Sequence, residues 1–432
     1  MKRFLLWVLG VAVGVAVLLG VVMGISWAGV NRTDLPDAAG AAFGGQPLEE
    51  NGSCWQVPLV GAVVDKVLYS APTLTVQKLD PVAEAHPAVT LPDWANYATL
   101  EITARDSGQV CFSGTLEEYA AFYYPAAGSY EIVLRAWHLP GGMAPGELAA
   151  PTDRLVRSPG LERPARPVGW YGYRFRFTLA ATPEVTLSAG TVQQGGTVCL
   201  VVRGMLGSET PAAETDLGTV AFQPEEGGWR GYLGVAYNAD AGSHIITVTA
   251  GGQQAETALV VSGRQYGRAE VTPTQDSEEA NAEFRNKIWP LYTAAAGPQQ
   301  WMGAWVCPVI YDSVLVDYGV VKMVNGKAGS KSNSTTFAAV PDTEVVAPAS
   351  GTVVFAGELQ LTGRTVVIDH GCGVRTYLYG LADYYVQKGD AVIRNGPVGL
   401  AGETLTLDVK IGNKSVCPWD LFRGQGGLFY LG

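Results

Sequence analysis

Hydrophobic and polar positions follow three patterns along this chain, and each predicts a different kind of element. From Phe4 to Val30 no side chain is ionisable, and most are Leu, Val, Gly or Ala. Such a run, rising about 1.5 Å per residue as a helix, more than covers a hydrocarbon core about 30 Å thick. Lys2 and Arg3 precede it, so the positive-inside rule predicts a cytoplasmic N-terminus with the bulk of the chain outside the cell. The alternative is a cleaved signal peptide, since Ser26-Trp27-Ala28 has small residues at cleavage spacing. The run is longer than the roughly 7–15 apolar residues of a signal sequence, which favours an uncleaved membrane anchor over residues 4–30. Gly10/Gly14 and Gly20/Gly24 form GxxxG pairs, a spacing that chance supplies readily in so Gly-rich a segment.

Beyond the anchor the period shortens to two. Residues 31–53, rich in Gly, Ala, Asn and Asp and without periodicity, read as a flexible tether. From 54 to 181, strand signals recur at 67–76, 98–104, 129–137 and 172–179. Alternation in the last two implies one buried and one wet face, as in an antiparallel β-sandwich. The Pro/Gly/Arg-rich interval 139–169 between them reads as a long loop. A second sandwich is expected over 183–265, with strands at 184–187, 197–203, 218–222, 230–236, 244–250 and 257–261. Gly-Gly turn signals separate several of them. A third pattern, helical, runs from Ser277 to Trp289 within a linker spanning 266–300. Asp276 is the expected N-cap with Glu279 as reciprocal acid, and Pro290 the expected end. Residues 301–432 return to short strands. The fold class is therefore mostly β, behind one N-terminal apolar helix.

Composition narrows the function. Of 432 residues only 16% are charged, and the net charge of −11 argues against nucleic acid as a partner, which needs clustered Lys and Arg. Six cysteines outside the anchor suit an oxidising compartment. Cys54 and Cys111 are the expected pair; Cys307, Cys372 and Cys417 are further disulfide candidates. Cys199, inside V-C-L-V-V, reads as a small apolar core residue.

The C-terminal region carries the densest motifs. It reads V-P-D-T-E-V-V-A-P-A-S-G-T-V-V-F-A-G over 340–357 and T-V-V-I-D-H-G-C-G-V-R-T-Y-L-Y-G-L over 365–381. V-Q-K-G-D-A-V-I-R-N-G-P-V-G (386–399) and T-L-T-L-D-V-K (404–410) follow. This resembles the lysostaphin/LytM family of peptidoglycan endopeptidases, most specifically between 301 and 420. Residues 183–265, with V-x-Q-G-G-x-V-x-L-x-V-x-G, are similar to the immunoglobulin-like domain that often precedes the peptidase domain there. The resemblance implies a LytM-type antiparallel sheet and a zinc site. Its ligands would come from H-x-x-x-D and the second His of H-L-H, with two further histidines assisting.

In this chain those positions are substituted. The H-x-x-x-D frame falls on Ser332 and Thr336, the histidine of T-x-Y-x-H-L on Gly380, and both histidines of H-L-H on Thr404 and Thr406. The loop before Thr404 is shortened. Hydroxyls are poor zinc ligands beside imidazole, thiolate or carboxylate. No histidine lies between His244 and His370, and His370 matches a structural position of the family. No metal, cofactor or catalytic residue is therefore expected. Asp369, Glu403 and Asp408 are potential acid/base groups, but Asp408 reads as solvated or turn-capping. Cys372 lacks a second histidine to activate it. His138 and His244 read as satisfied structural residues, and Trp301, Trp305 and Trp419 as core packing.

The resulting expectation is a membrane-anchored, non-catalytic envelope protein, a scaffold or regulator of peptidoglycan remodelling with a protein partner. A peptidoglycan-binding module and an active zinc endopeptidase with unfamiliar ligands are the alternatives.

Overall fold

A computed structural model describes residues 2–32, 35–59, 64–141, 143–148, 150, 152–157, 167–272 and 276–431. The chain is mostly β, and the described residues divide into two compact units, Met1–Thr182 and Pro183–Gly432.

Unit one begins with helix α1 (Lys2–Gly29), long and apolar enough over Leu6–Gly29 to cross a membrane. Its main sheet contains β1 (Glu50–Pro58), β2 (Val64–Ser70), β3 (Tyr97–Ala104), β4 (Val110–Thr115), β5 (Gly128–His138), β6 (Leu155–Arg157) and β7 (Val168–Leu179). The spatial order is β6-β2-β1-β7-β5-β3-β4, antiparallel throughout this path. Alternation along β5 and β7 sends Ile132, Leu134, Phe175 and Phe177 to one buried face. Phe43, wholly buried, packs on Phe175 and Phe177 with ring centroids 5.0 and 4.8 Å away. It belongs to a three-stranded sheet formed by Ala42–Phe43, Gln46–Pro47 and Val89–Thr90, which covers that face.

Several expectations change here. The interval 31–53 is not a featureless tether, because it supplies Phe43 to the core and the start of β1. Strand signal 67–76 stops at Ser70; Pro72 follows, and Leu74 is almost fully exposed. The loop 139–169 contains β6; its positions 142, 149, 151 and 158–166 lie outside the described residues. The Cys54–Cys111 bridge is absent, and all six cysteines are free thiols. Cys54 sits on β1 and Cys111 on β4, four strand positions apart. At about 4.8 Å per strand that is far beyond the roughly 4–7 Å between Cα atoms that a disulfide tolerates.

Unit two opens with two four-stranded sheets. One runs Glu184–Leu187, Thr197–Arg203, Gly228–Gly234, Gln223–Glu225; the other runs Thr191–Gln193, Gln253–Ser262, Gly242–Ala250, Ala212–Glu214. Val198, Leu200 and Val202 from the first meet Ile246, Val248 and Leu259 from the second in one core. The expected strand at 218–222 is irregular, because it lies over two glycine turns of the C-terminal sheet. A Cβ at Gly373 would stand 3.3 Å from Ala221, and Thr219 approaches Gly412 too closely for a side chain there.

Helix α2 (Glu278–Tyr292) follows, capped by Ser277, whose side chain accepts from the Ala280 amide at 3.0 Å. The cap is thus one residue beyond Asp276, and the helix runs past Pro290 to Tyr292. The last sheet contains β8 (Tyr311–Val316), β9 (Thr335–Ala339), β10 (Gly351–Leu359), β11 (Gly363–Asp369), β12 (Val374–Tyr384), β13 (Ala391–Val392) and β14 (Pro397–Ile411). Its order is β8-β9-β14-β12-β11-β10-β13, with Glu344–Val346 and Lys414–Val416 also paired to β14. One face, with Phe337, Leu405, Leu407, Val409, Ile368 and Leu378, packs on Trp301, Trp305 and Tyr232. Tyr232 and Cys199 come from the preceding four-stranded sheet, so the two parts of this unit share a core.

Lys66 on β2 closes the C-terminal end of α1. Its Nζ donates to the carbonyl oxygens of Trp27 at 2.7 Å and Val30 at 2.8 Å, and lies 4.9 Å from the Trp27 ring centroid. A cation at orphan carbonyls of a helix end is worth about 0.3–1 kcal/mol. Lys66→Ala is therefore expected to speed hydrogen exchange at residues 28–32 in lipid nanodiscs while β1 and β7 stay protected. Unchanged exchange at those residues would show that the contact does not hold the helix end.

Candidate functional site

Strand β14 is a single fifteen-residue run with no inserted loop before Thr404. Its alternation places Leu405, Leu407 and Val409 in the core and turns Thr404, Thr406, Asp408 and Lys410 to the opposite face. On the neighbouring strands, Thr336 of β9 pairs with Thr406, Tyr377 of β12 with Asp408, and Tyr379 with Thr406. This is where the five positions aligned with the expected zinc site would have to meet.

Two of them do meet. Thr336 Oγ1 and Thr406 Oγ1 lie 2.9 Å apart and share a hydrogen bond. Gly380 sits at an irregularity of β12 with φ +81, where a Cβ would stand 3.1 Å from the Thr404 carbonyl oxygen. A side chain is disfavoured there by backbone conformation as well as by space. Thr404 itself is exposed. Ser332 is buried and faces its own loop, its hydroxyl donating to the Ser334 carbonyl at 2.8 Å. Zinc in such a sheet needs three imidazole, thiolate or carboxylate donors with an open fourth position. Two hydroxyls bonded to each other and a glycine do not fit that requirement. Among the described residues no three His, Cys, Asp or Glu side chains converge as a metal-holding group.

Beside the threonine pair, the same face holds a buried polar cluster that sequence reasoning missed. Asp408, expected to be solvated, is 3% exposed. Lys410 Nζ lies 3.2 Å from its Oδ2, donates to Ser415 Oγ at 2.7 Å and sits 4.8 Å from the Tyr292 ring centroid. Burial pushes the Asp408 carboxyl above the usual carboxylate range, against the pull of the Lys410 ammonium. Asp408 Oδ1 and the Tyr377 hydroxyl are buried without a hydrogen-bond partner. Arg375 of β12, 2% exposed, grips Asp369 Oδ2 through Nε at 3.0 Å and Nη2 at 2.7 Å. The available signal was the i, i+2 spacing of Arg375, Tyr377 and Tyr379, matched by Asp408 and Lys410 on the facing strand.

Helix α2 lies over this cluster. Ile288 is fully buried against Leu359, Val367, Tyr377 and Tyr379. Phe284 and Tyr292 bring their rings to 6.1 Å from Tyr379 and 5.7 Å from Tyr377. Glu283 Oε2 accepts from the Gln360 amide at 2.8 Å, pinning the helix to the β10–β11 turn. Part of the face that would form a substrate groove is thus occupied by the chain itself.

The remaining candidates are structural. His370 is wholly buried, its Nδ1 2.8 Å from the Ser350 carbonyl oxygen and its Nε2 2.7 Å from Thr376 Oγ1. Its ring lies 4.6 Å from that of Trp305. Burial lowers its pKa from 6.5 to about 4. His138 and His244 have partners in Trp94, Asp216 and Asp240. Cys372, at the hairpin tip with φ +51, is buried, and burial raises its thiol to about 12, the reverse of an activated nucleophile. Cys199 is fully buried, as expected. Glu403 is exposed.

Residues 330–412 match the model of Peptidase family M23. Similar solved structures include a candidate peptidase M23 from Pseudomonas aeruginosa, 20% identical over 54% of this chain and 94% of that one, with a TM-score of 0.38. A chain of the SpoIIQ–SpoIIIAH pore-forming complex is 22% identical over 29% of this chain and 93% of that one, with a TM-score of 0.25. The catalytic domain of lysostaphin from Staphylococcus simulans is 21% identical over 26% and 92% respectively, with a TM-score of 0.23. A comparison with curated proteins finds no match.

Two outcomes follow from the buried groups. Lys410→Met strands the Asp408 carboxylate and is expected to cost about 3–5 kcal/mol in chemical denaturation. Adding Asp408→Asn should recover most of that loss; equal losses in single and double variants would remove the pair from the account. For His370 the folded pKa lies below the unfolded one, so the unfolded chain binds the extra proton between pH 6.5 and about 4. Stability is then full above pH 6.5 and falls as the medium is acidified, by on the order of 3 kcal/mol at pH 4. Denaturation of His370→Gln at both ends of that range should lack this share of the decline.

Proposed function

We propose that this chain is a non-catalytic protein of the cell envelope, whose M23-type domain serves as a scaffold or regulator of peptidoglycan remodelling through a protein partner. On this reading α1 anchors it in the membrane, with Lys2 and Arg3 on the cytoplasmic side and the two units outside. Residues 183–265 form an immunoglobulin-like domain in front of the degenerate peptidase domain.

The observation that carries the proposal is the Thr336–Thr406 hydrogen bond of 2.9 Å, standing where the family's aspartate and final histidine would bind metal. A neutral hydroxyl pair that satisfies itself has no reason to hold a divalent cation or to polarise water. The cover supplied by α2 points the same way, since Phe284 and Tyr292 occupy space a peptide substrate would need.

Zinc content, hydrolysis and adhesion of the full-length protein in nanodiscs test the reading together. The expected result is zinc far below one per chain and no soluble fragments released from purified sacculi, with capture of a protein partner from envelope extracts freed of glycan. Stoichiometric zinc with chelator-sensitive release would overturn it. Co-sedimentation with sacculi, without hydrolysis or a protein partner, would replace the regulator by a peptidoglycan-binding module.

A further inference from the structure

Unit one carries a trough of about 400 Å³ on the outer face of β3, β5 and β7, within the range of small-ligand sites. Alternation builds it. Glu101 of β3, Val133 of β5 and Arg174 of β7 stand in register across the sheet, so an apolar floor has a carboxylate on one flank and a guanidinium on the other. One step along, Gly172 pairs with Arg135 and brings no side chain to the wall, where Asn51 and Trp170 close in. A Cβ at Gly172 would stand 3.0 Å from the Asn51 carbonyl oxygen and 3.1 Å from the Trp170 ring.

The polar groups around this trough are held in place and balanced in charge. Trp170 supports the Arg135 guanidinium 5.3 Å from its ring centroid. Glu131 accepts from Arg174 Nε at 2.7 Å and Arg176 Nε at 2.9 Å, and these arginines hold its carboxyl below the usual carboxylate range despite partial burial. Glu101 and Arg135 are exposed, and among the described residues neither has a hydrogen-bond or ion-pair partner, so both are available to a ligand. The lining thus offers two carboxylates and two guanidiniums, interleaved at strand spacing, beside an indole and a valine.

That arrangement selects a chemistry. An anion docking at Arg135 meets Glu101, and a cation docking at Glu101 meets Arg135, each within the reach of adjacent strands. A hydroxyl both donates and accepts, so a sugar ring satisfies carboxylates and guanidiniums alternately, while its C–H face lies on the apolar floor. We propose that this trough is a binding site for a neutral oligosaccharide. The site lies in the first unit and does not depend on the reading of the C-terminal sheet.

The test is calorimetric titration of the full chain, in nanodiscs free of glycoside detergent, with a neutral β-1,4-linked N-acetylglucosamine tetramer. Saturable binding is expected, with little change between low and high salt because no net charge is neutralised. Arg135→Ala and Glu101→Ala, both at exposed positions, should each weaken it about tenfold, a loss typical of a central polar contact. Combining Arg135→Ala with Glu101→Ala should abolish it. Absence of saturable binding to the wild type would overturn the site, as would binding indifferent to Arg135→Ala and Glu101→Ala. Preference for an acidic or zwitterionic tetrapeptide over the sugar would overturn the ligand class. Attachment to sacculi through the C-terminal sheet would survive the double substitution, so this proposal and the preceding one fail separately.

Discussion

The two-residue period of strand β14 ties the core of the C-terminal domain to the polar groups on its other face. Leu405, Leu407, Val409 and Ile411 point into the apolar core shared with Trp301 and Tyr232, and the residues between them point to the opposite face. A slip of one residue would exchange the two sets, so the packing that makes the sheet stable also fixes where Thr406 and Asp408 stand. Replacing the outward residues leaves the inward set untouched.

What stands on the outward face is a set of buried polar residues held under helix α2. Arg375 binds Asp369 with two hydrogen bonds, and Lys410 engages Asp408, Ser415 and the Tyr292 ring. Buried ion pairs seldom stabilise a fold relative to an apolar substitute, but removal of one partner is costly. Their effect here is one of specificity. Arg375 Nη2 also donates to the Ala294 carbonyl at 3.1 Å, so the segment leaving α2 is tied to β12. The helix, its exit and the sheet then share one arrangement in which Arg375 is paired with Asp369 and Lys410 with Asp408.

Much of this was legible in the chain. The strands at 184–187 and 197–203 coincide with their hydrophobic runs, and β3 and β5 extend theirs by only a residue or so at an end. The substitutions at Ser332, Thr336, Gly380, Thr404 and Thr406 could be read without coordinates, because ligand chemistry depends on residue type. Pairing depends on distance, and there the reading failed. Cys54 and Cys111 lie in one unit, yet three strands separate them. Asp408 looked solvated because a lone acid in a strand usually is; Lys410, two residues along the same strand, pairs with it, and Tyr292 of α2 covers that ammonium. Residues 31–53 carry no periodicity, and their contribution, led by Phe43 on Phe175 and Phe177, comes from long-range contacts that no local pattern announces.

A metal site contributes folding energy as well as reactivity, because its ligands are held together only in the folded state. Without such a site, strands need other reasons to stay in register. In this chain the Thr336–Thr406 hydrogen bond joins β9 to β14, and Gly380 leaves out a side chain that would crowd the Thr404 carbonyl oxygen. One neutral hydrogen bond is worth only about 1 kcal/mol. The larger share must therefore come from α2, whose Ile288 and Phe284 bury the aromatic row of β12. Helix α2 thereby makes part of that sheet face core, where an uncovered aromatic row would meet solvent.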